Sequence, residues 1–323
     1  MTRHPDAETV RSALALAVRA PSVHNTQPWQ WRVGDTTVHL YADEGRGLAH
    51  TDPDRRDLLI SCGAALHHFR VAARSFGWHT VVHRFPDPAD RRHLASVEFV
   101  PVTPTSEVVG LARAIADRRT DRRRPTSWEV PEGFVAAMAA AGRAEGAMVT
   151  EVPGGGTRIG LVEAFRTAAA AHRADPSYQD ELVRWSGRHA DPEGVPARNA
   201  VLAADPLTRE FHAHTLTEAV LRDLEDNGTL VLVHTGSDDD LSRLRAGEAA
   251  SAVLLTATVF GLATCPLTEP LELPGTRALV RSDVLEDSGF PQLLIRVGWA
   301  SSTADGIPAT PRRALSEVVR PLG

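Results

Sequence analysis

Residues 20–29 read Ala-Pro-Ser-Val-His-Asn-Thr-Gln-Pro-Trp. Pro21 and Pro28 fix their own φ and push the residues before them toward extended backbone, so both ends of the segment are stiff. Between them Ser22, Asn25 and Gln27 supply a hydroxyl and two amides. An amide both donates and accepts, which suits the edge of a heteroaromatic ring that does the same. A plain helix-to-strand connector would carry the same turn residues. Residues 113–125 hold six Arg in thirteen positions, among them Arg118, Arg119 and Arg122, with the Thr120 hydroxyl inside the cluster. A guanidinium is a planar fork of donors that matches a phosphate dianion. A solvated helix end or a nucleic-acid patch are the competing readings. The net charge of −6, and the lack of aromatic residues among the arginines, argue against nucleic acid as a partner. A second pair, Arg312 and Arg313, closes on the same anion or sits on a solvated tail.

Other constellations are weaker. His67 and His68 are adjacent in an apolar stretch, where neighbouring side chains point apart, so a shared metal is not expected. Gly154-Gly155-Gly156 lacks the Lys of a phosphate loop and reads as a turn. Cys265 beside Pro266 reads as a small buried thiol. No metal site is expected.

The positioning elements follow from periodicity. Val10, Leu14, Ala17 and Val18 recur at helical spacing before the Pro-Ser segment, and a strand follows it at Gln30 to Val33. The spacing predicts strands at 79–85, 96–100, 147–152, 229–235 and 292–299. It predicts helices at 107–118, 132–141, 157–172, 208–222 and 239–261. Hairpin-like pairs such as 29–33 with 36–42 favour an α+β class over a doubly wound parallel sheet. Segment 175–206 is rich in Pro and Gly, but Tyr178 and Trp185 argue for an ordered cover. With 323 residues, 42% apolar, the chain can fill one large domain or two ordinary ones. The polar N-terminus, the absence of a long apolar run and two separated cysteines point to a reducing cytoplasm and no membrane.

One unit occurs twice. Residues 63–77 read GAALHHFRVAARSFG and residues 247–261 read GEAASAVLLTATVFG, gap-free, each opening on Gly and closing on Phe-Gly. A charged turn precedes each. Both read as buried helices whose small residues admit a close neighbour, either the twin helix or a sheet.

Together these segments resemble the FMN-dependent nitroreductase family. Pro21-Ser22-Val23-His24-Asn25-Thr26-Gln27-Pro28-Trp29 is similar to the family's Pro-Ser-x-x-Asn-x-Gln-Pro-Trp loop. Arg118-Arg119-Thr120-Asp121-Arg122 is similar to its Arg-x-Ser/Thr-x-Arg/Lys motif. Residues 247–262, the strand 292–298 and Arg312 match further elements. The order departs from the family, because here the loop precedes the Arg motif. Each repeat lacks the half-site that the other keeps, a layout that resembles the actinobacterial Acg-type subgroup.

The resemblance implies a nitroreductase-like α/β sandwich with two repeats, 1–105 and 106–323, fused into an intramolecular pseudo-dimer with a lid-like insert at about 175–206. It implies one FMN per chain, touched by Pro21, Ser22, Val23, Asn25, Gln27, Arg118, Arg119, Thr120, Arg122, Thr268, Arg312 and Arg313. Gln27 is expected mainly to brace the loop. NAD(P)H would reduce the flavin at N5, and a nitroaromatic or quinone would reoxidise it. No catalytic side chain is named, because family members can take the proton from solvent. The alternative is a flavin-sequestering protein of little turnover, its flavin covered by the insert. A fused chain is expected to be a monomer or a weak homodimer.

Overall fold

The computed structural model describes residues 4–187, 191–203, 205–217, 228–301 and 305–322. Helix α1 (Ala7–Ala17), capped by the Asp6 side chain, leads through the Pro-Ser loop into the hairpin β1 (Trp29–Val33) and β2 (Val38–Ala42). The long helix α2 (Arg56–Ser75) follows, then β3 (Trp78–Arg84) and β4 (His93–Pro101). The second half begins with α3 (Ser106–Asp117), α4 (Glu132–Ala144), β5 (Met148–Glu151), α5 (Gly156–Ala174) and α6 (Pro176–Arg184). It continues with β6 (Thr229–Thr235), α7 (Asp240–Val259), β7 (Ala263–Leu267), α8 (Glu269–Glu272), α9 (Pro274–Leu285) and β8 (Phe290–Gly298). The short α10 (Leu315–Val318) and β9 (Val319–Pro321) close the chain.

The strands form two sheets, β3-β4-β2-β1-β9 and β5-β6-β8-β7. Every pairing is antiparallel except the β1–β9 pair, so the class is α+β. The last strand thus joins the first sheet, beside Trp31 to Val33. One core packs α1 and α2 on the first sheet, around Trp29, Trp31, Leu66 and Phe69. A second packs α7 and α4 on one face of the other sheet, and a third covers the opposite face with α5 and α9.

The expected helix at 208–222 is not formed where it is described. Residues 208–217 are irregular, and the remainder of that range lies outside the described residues. Thr208 and Arg209 are held instead by side chains, Thr208 Oγ1 donating to Asp205 at 2.7 Å and Arg209 reaching Glu272. Helices α8 and α9 have Pro at their starts, a permitted position that the sequence reading passed over. Conversely, the 175–206 stretch contains a full helix, α6, capped by the Asp175 carboxylate and again begun by Pro.

The twin helices α2 and α7 cross at their matched glycines. A Cβ on Gly63 would stand 2.0 Å from the Leu244 carbonyl oxygen, and one on Gly247 2.0 Å from that of Ile60. Only hydrogen fits at either position. Polar ties flank the crossing. Glu248, fully buried, accepts from Arg84 at 2.7 and 2.9 Å and from Arg70 at 2.8 Å. Arg56 at the head of α2 pairs with Asp238 and donates to the Pro291 carbonyl and Gln292 Oε1, both at 2.9 Å. His67 and His68 do not point apart: Nδ1 of each lies 2.8 Å from the one Ser251 hydroxyl on α7.

Gly63→Ala should therefore lower the unfolding free energy by about 2 kcal/mol or more through overpacking. Gly133→Ala, in α4 with open space about it, should raise it by roughly 0.5–1 kcal/mol. Urea unfolding of the two variants checks the opposite signs.

Candidate functional site

The Pro-Ser loop is held in an unusual shape. His24, Asn25 and Gln27 all have positive φ, at 45°, 56° and 51°, a region that non-glycine residues enter at a cost. Side chains fix it there. Ser22 Oγ accepts from the Gln27 amide at 3.0 Å, and Thr26 Oγ1 donates to the Val23 carbonyl at 2.9 Å. The Val23 amide donates to Ser61 Oγ on α2 at 3.2 Å.

The arginine segment runs from the end of α3 past the edge of the second sheet. The Asp121 amide donates to the Thr264 carbonyl at 2.8 Å, and the Asp121 carboxylate takes Arg123 in two side-chain hydrogen bonds of 2.8 and 2.9 Å. Arg122 donates to the Asn199 carbonyl at 2.8 Å and lies 4.9 Å over the Phe211 ring.

Between loop and segment lies a cavity of about 920 Å³, solvent at its mouth included. Pro21, Ser22, Val23, Thr120, Arg122 and Thr268 all line it. Ile60, Phe165, Phe211, Leu254 and Leu293 give it apolar walls. Its floor is a buried ion network. Arg209 engages Glu272 and the Tyr178 hydroxyl, and donates to Thr268 Oγ1 at 3.1 Å. His172 Nε2 stands 3.1 Å from Glu272. Burial pushes the Glu272 carboxyl up, but Arg209 and His172 overcome it and hold the group at about 2.

Three more of the predicted arginines gather next to this cavity, together with Arg19. Arg19, Arg118, Arg119 and Arg312 surround a smaller hollow of about 320 Å³. No carboxylate pairs with Arg19, Arg118 or Arg312 among the described residues. Arg118 Nε and Nη1 and the Nε atoms of Arg19, Arg119 and Arg312 are buried without a hydrogen-bond partner. Burial, then mutual repulsion, lowers Arg118 to about 10 and Arg312 to about 9. Buried cations lacking counter-charge are costly, and a polyvalent oxyanion supplies what they lack. Chain neighbours line both spaces: Arg19 with Pro21, and Arg119 with Thr120.

Three predicted residues are placed elsewhere. Asn25 Nδ2 donates to the carbonyls of Gly194 at 3.1 Å, Pro311 at 3.3 Å and Pro192 at 3.4 Å. Gln27 Nε2 donates to Pro192 O at 2.7 Å, while its Oε1 accepts from the Arg313 amide at 2.9 Å. Buried backbone carbonyls need donors, and these two amides serve the strap at 192–194 instead of the cavity. The Arg313 guanidinium turns to Asp43 and Glu317, 3.8 and 3.5 Å away. The strap is pinned again where Glu193 pairs with Arg46. Glu181 on α6 accepts from the Thr51 hydroxyl and amide at 2.7 and 2.8 Å.

Several lining residues escaped the sequence reading. Arg19 carried a signal, standing immediately before the Pro-Ser loop. Asp57 and Ser61, on α2, fall between the charged turn and the repeated segment at 63–77, outside both readings. Arg209 and Phe211 carried none that pointed to a site, since their segment reads as part of a helix at 208–222. Among the described residues no cluster of His, Cys, Asp and Glu could hold a metal, and no helix is long and apolar enough to cross a membrane.

The chain is 49% identical, over 98% of its own length and 93% of the other's, to a Mycobacterium tuberculosis protein provisionally named NAD(P)H nitroreductase Rv3131. It is 39% identical, over 96% of its length and 95% of the other's, to the protein of that organism provisionally named NAD(P)H nitroreductase Acg. Among solved structures, the FMN-dependent nitroreductase NfnB of Mycobacterium smegmatis in complex with NADPH is 20% identical, covering 67% of this chain and 99% of that one, with a TM-score of 0.42. No family model matches the chain.

The unpaired arginines yield a direct expectation. Inorganic phosphate should raise the melting temperature of protein stripped of small molecules, by the equivalent of ~2.7 kcal/mol at a hundredfold excess over Kd. Arg118→Met should abolish most of that rise. An equal phosphate response in the variant would place the anion elsewhere.

Proposed function

We propose that this chain, which belongs to the nitroreductase family of the Acg type, is an FMN-dependent oxidoreductase holding one flavin between its two halves. The observation that carries this reading is the adjacency of an uncompensated arginine hollow and a larger, apolar-walled cavity. FMN has the matching shape, a phosphate dianion at one end and a planar ring at the other. Arg118 and Arg312, with Arg19 and Arg119 beside them, would hold the phosphate. Pro21, Ser22, Val23, Thr120, Arg122 and Thr268 would meet the ribityl chain and ring. Asn25, Gln27 and Arg313 would support them by locking the loop to the strap and tail. The bound flavin supplies hydride acceptance and donation at N5. In this reading the reductant is NAD(P)H and the acceptor a nitroaromatic or quinone.

The repeats would be 1–105 and 106–323, each contributing half of the site. Such a chain already buries internally what an ordinary two-subunit member buries between copies, so a monomer in a reducing cytoplasm is the corresponding state.

A second reading is favoured by the strap. Residues 192–194 are hydrogen-bonded down onto Asn25 and Gln27, and Leu207, Thr208 and Phe211 line the cavity from the same side. A flavin beneath them would be retained with little turnover, and the protein would sequester it. Tight holding of a cofactor does not itself accelerate a reaction.

Purified protein should show the absorption of oxidised flavin, bleached by NADPH or NADH without air. A yellow protein indifferent to both nucleotides selects sequestration. Arg118→Ala combined with Arg122→Ala should lose most of the flavin, and undiminished occupancy would refute the phosphate assignment.

A further inference from the structure

One buried polar atom on the cavity wall has nothing to bond. His24, in the Pro-Ser loop, is 6% exposed and lines the cavity. Its Nε2 is buried without a hydrogen-bond partner, the only such side-chain nitrogen or oxygen among the described lining residues. Neighbouring hydroxyls are engaged. Ser22 Oγ accepts from the Gln27 amide and Ser61 Oγ from the Val23 amide, while Thr208 Oγ1 and Thr268 Oγ1 donate to Asp205 and Glu272. A polar atom held out of water with no partner costs stability. The loop bears a second cost at the same residue, the left-handed φ of 45°. The imidazole stands edge-on to Phe211, with 5.9 Å between centroids and 87° between planes. Arg209, Glu272, Arg122 and His172 surround it, and burial, then Arg209, lowers its pKa to about 3. At neutral pH the ring therefore carries a single proton.

Unbonded buried atoms thus occur at both ends of the site. Those of the arginine hollow match a phosphate. His24 Nε2 must match what the larger cavity receives, and a flavin ring carries carbonyl oxygens and ring nitrogens along one edge that accept hydrogen bonds. Asn25 is not placed to meet them. Its amide nitrogen donates to backbone carbonyls of the strap and the tail. Its Oδ1 also lacks a partner, but that atom cannot donate, and Asn25 does not line the cavity.

We infer that His24, and not Asn25, is the loop side chain that bonds the flavin ring, its Nε2–H donating to an acceptor atom on the ring's polar edge. The inference rests on the flavin reading above. No proton is transferred. The hydrogen bond fixes the ring in the cavity, and it strengthens when reduction adds electron density to the acceptor atom. His24 therefore favours the reduced cofactor over the oxidised one.

Fluorescence titration of flavin-stripped protein with FMN, and with riboflavin, which lacks the phosphate, tests this. His24→Phe keeps an aromatic ring against Phe211 and removes the donor. It should weaken both ligands by the same factor, about three- to tenfold, as expected for one net hydrogen bond. Arg118→Met should weaken FMN alone. The midpoint potential of the bound flavin should become more negative in His24→Phe. His24→Gln, with an amide donor at similar reach, should restore both affinity and potential, which a packing role would not. Flavin-free His24→Phe should melt near wild type, because it exchanges an unbonded polar atom for an apolar one. His24→Leu carries the same binding expectations, so a folding defect in one variant does not shield the assignment. Unchanged affinity in either folded variant, loss of affinity for FMN alone, or a Gln variant as weak as the Phe variant overturns the inference. Wild-type protein that binds neither flavin would sink the functional reading itself.

Discussion

Two glycines touching across a helix crossing are the constraint from which the rest follows. Gly63 and Gly247 let α2 and α7 approach until backbone meets backbone. That contact sets the distance between the two sheets and so the width of the space between the Pro-Ser loop and the arginine segment. It also explains why α7 is buried along almost its whole length, from Leu244 to Ala257. A helix enclosed on all sides has no polar face to display, and its few polar residues, Glu248 and Ser251, are spent on α2 and its neighbours.

The distribution of charge follows a second rule. Nearly every arginine near the crossing has a carboxylate: Arg56 has Asp238, Arg70 and Arg84 have Glu248, and Arg209 has Glu272. Arg19, Arg118 and Arg312 break that pattern within a single hollow. Local violations of otherwise consistent chemistry mark functional sites. The cost of gathering these cations falls on the folded chain until an anion arrives, so ligand binding and stability are coupled.

Much of this was legible in advance where local rules are strong. The Pro-Ser loop, the arginine run and the twin helices were visible because prolines, guanidinium density and a repeated Gly…Phe-Gly frame are each unusual. Strands β1 to β6 and β8 were placed to within a few residues, whereas β9, three residues long, gave no pattern to read. Legibility failed where tertiary contacts decide. Residues 208–217 have a helical pattern but are anchored by Asp205 and Glu272 instead. Asn25 and Gln27 have side chains suited to a ring edge, yet the carbonyls of a strap nearly 170 residues away take them. Whether a buried amide serves a ligand or a backbone depends on which lies closer, and a single chain of letters does not carry that distance.

The crossing back of β9 has a consequence for how the molecule is made. The first sheet lacks its edge beside Trp31–Val33 until residues 319–321 are present, and Arg312 reaches the carbonyls of Arg19 and Ala20 only on the same return path. During synthesis the amino-terminal half must wait, with that edge unpaired, while more than two hundred further residues emerge from the ribosome. The paired edge of the first sheet and the Arg312 side of the anion hollow are therefore both supplied by residues 312–321, and a chain lacking that stretch has neither.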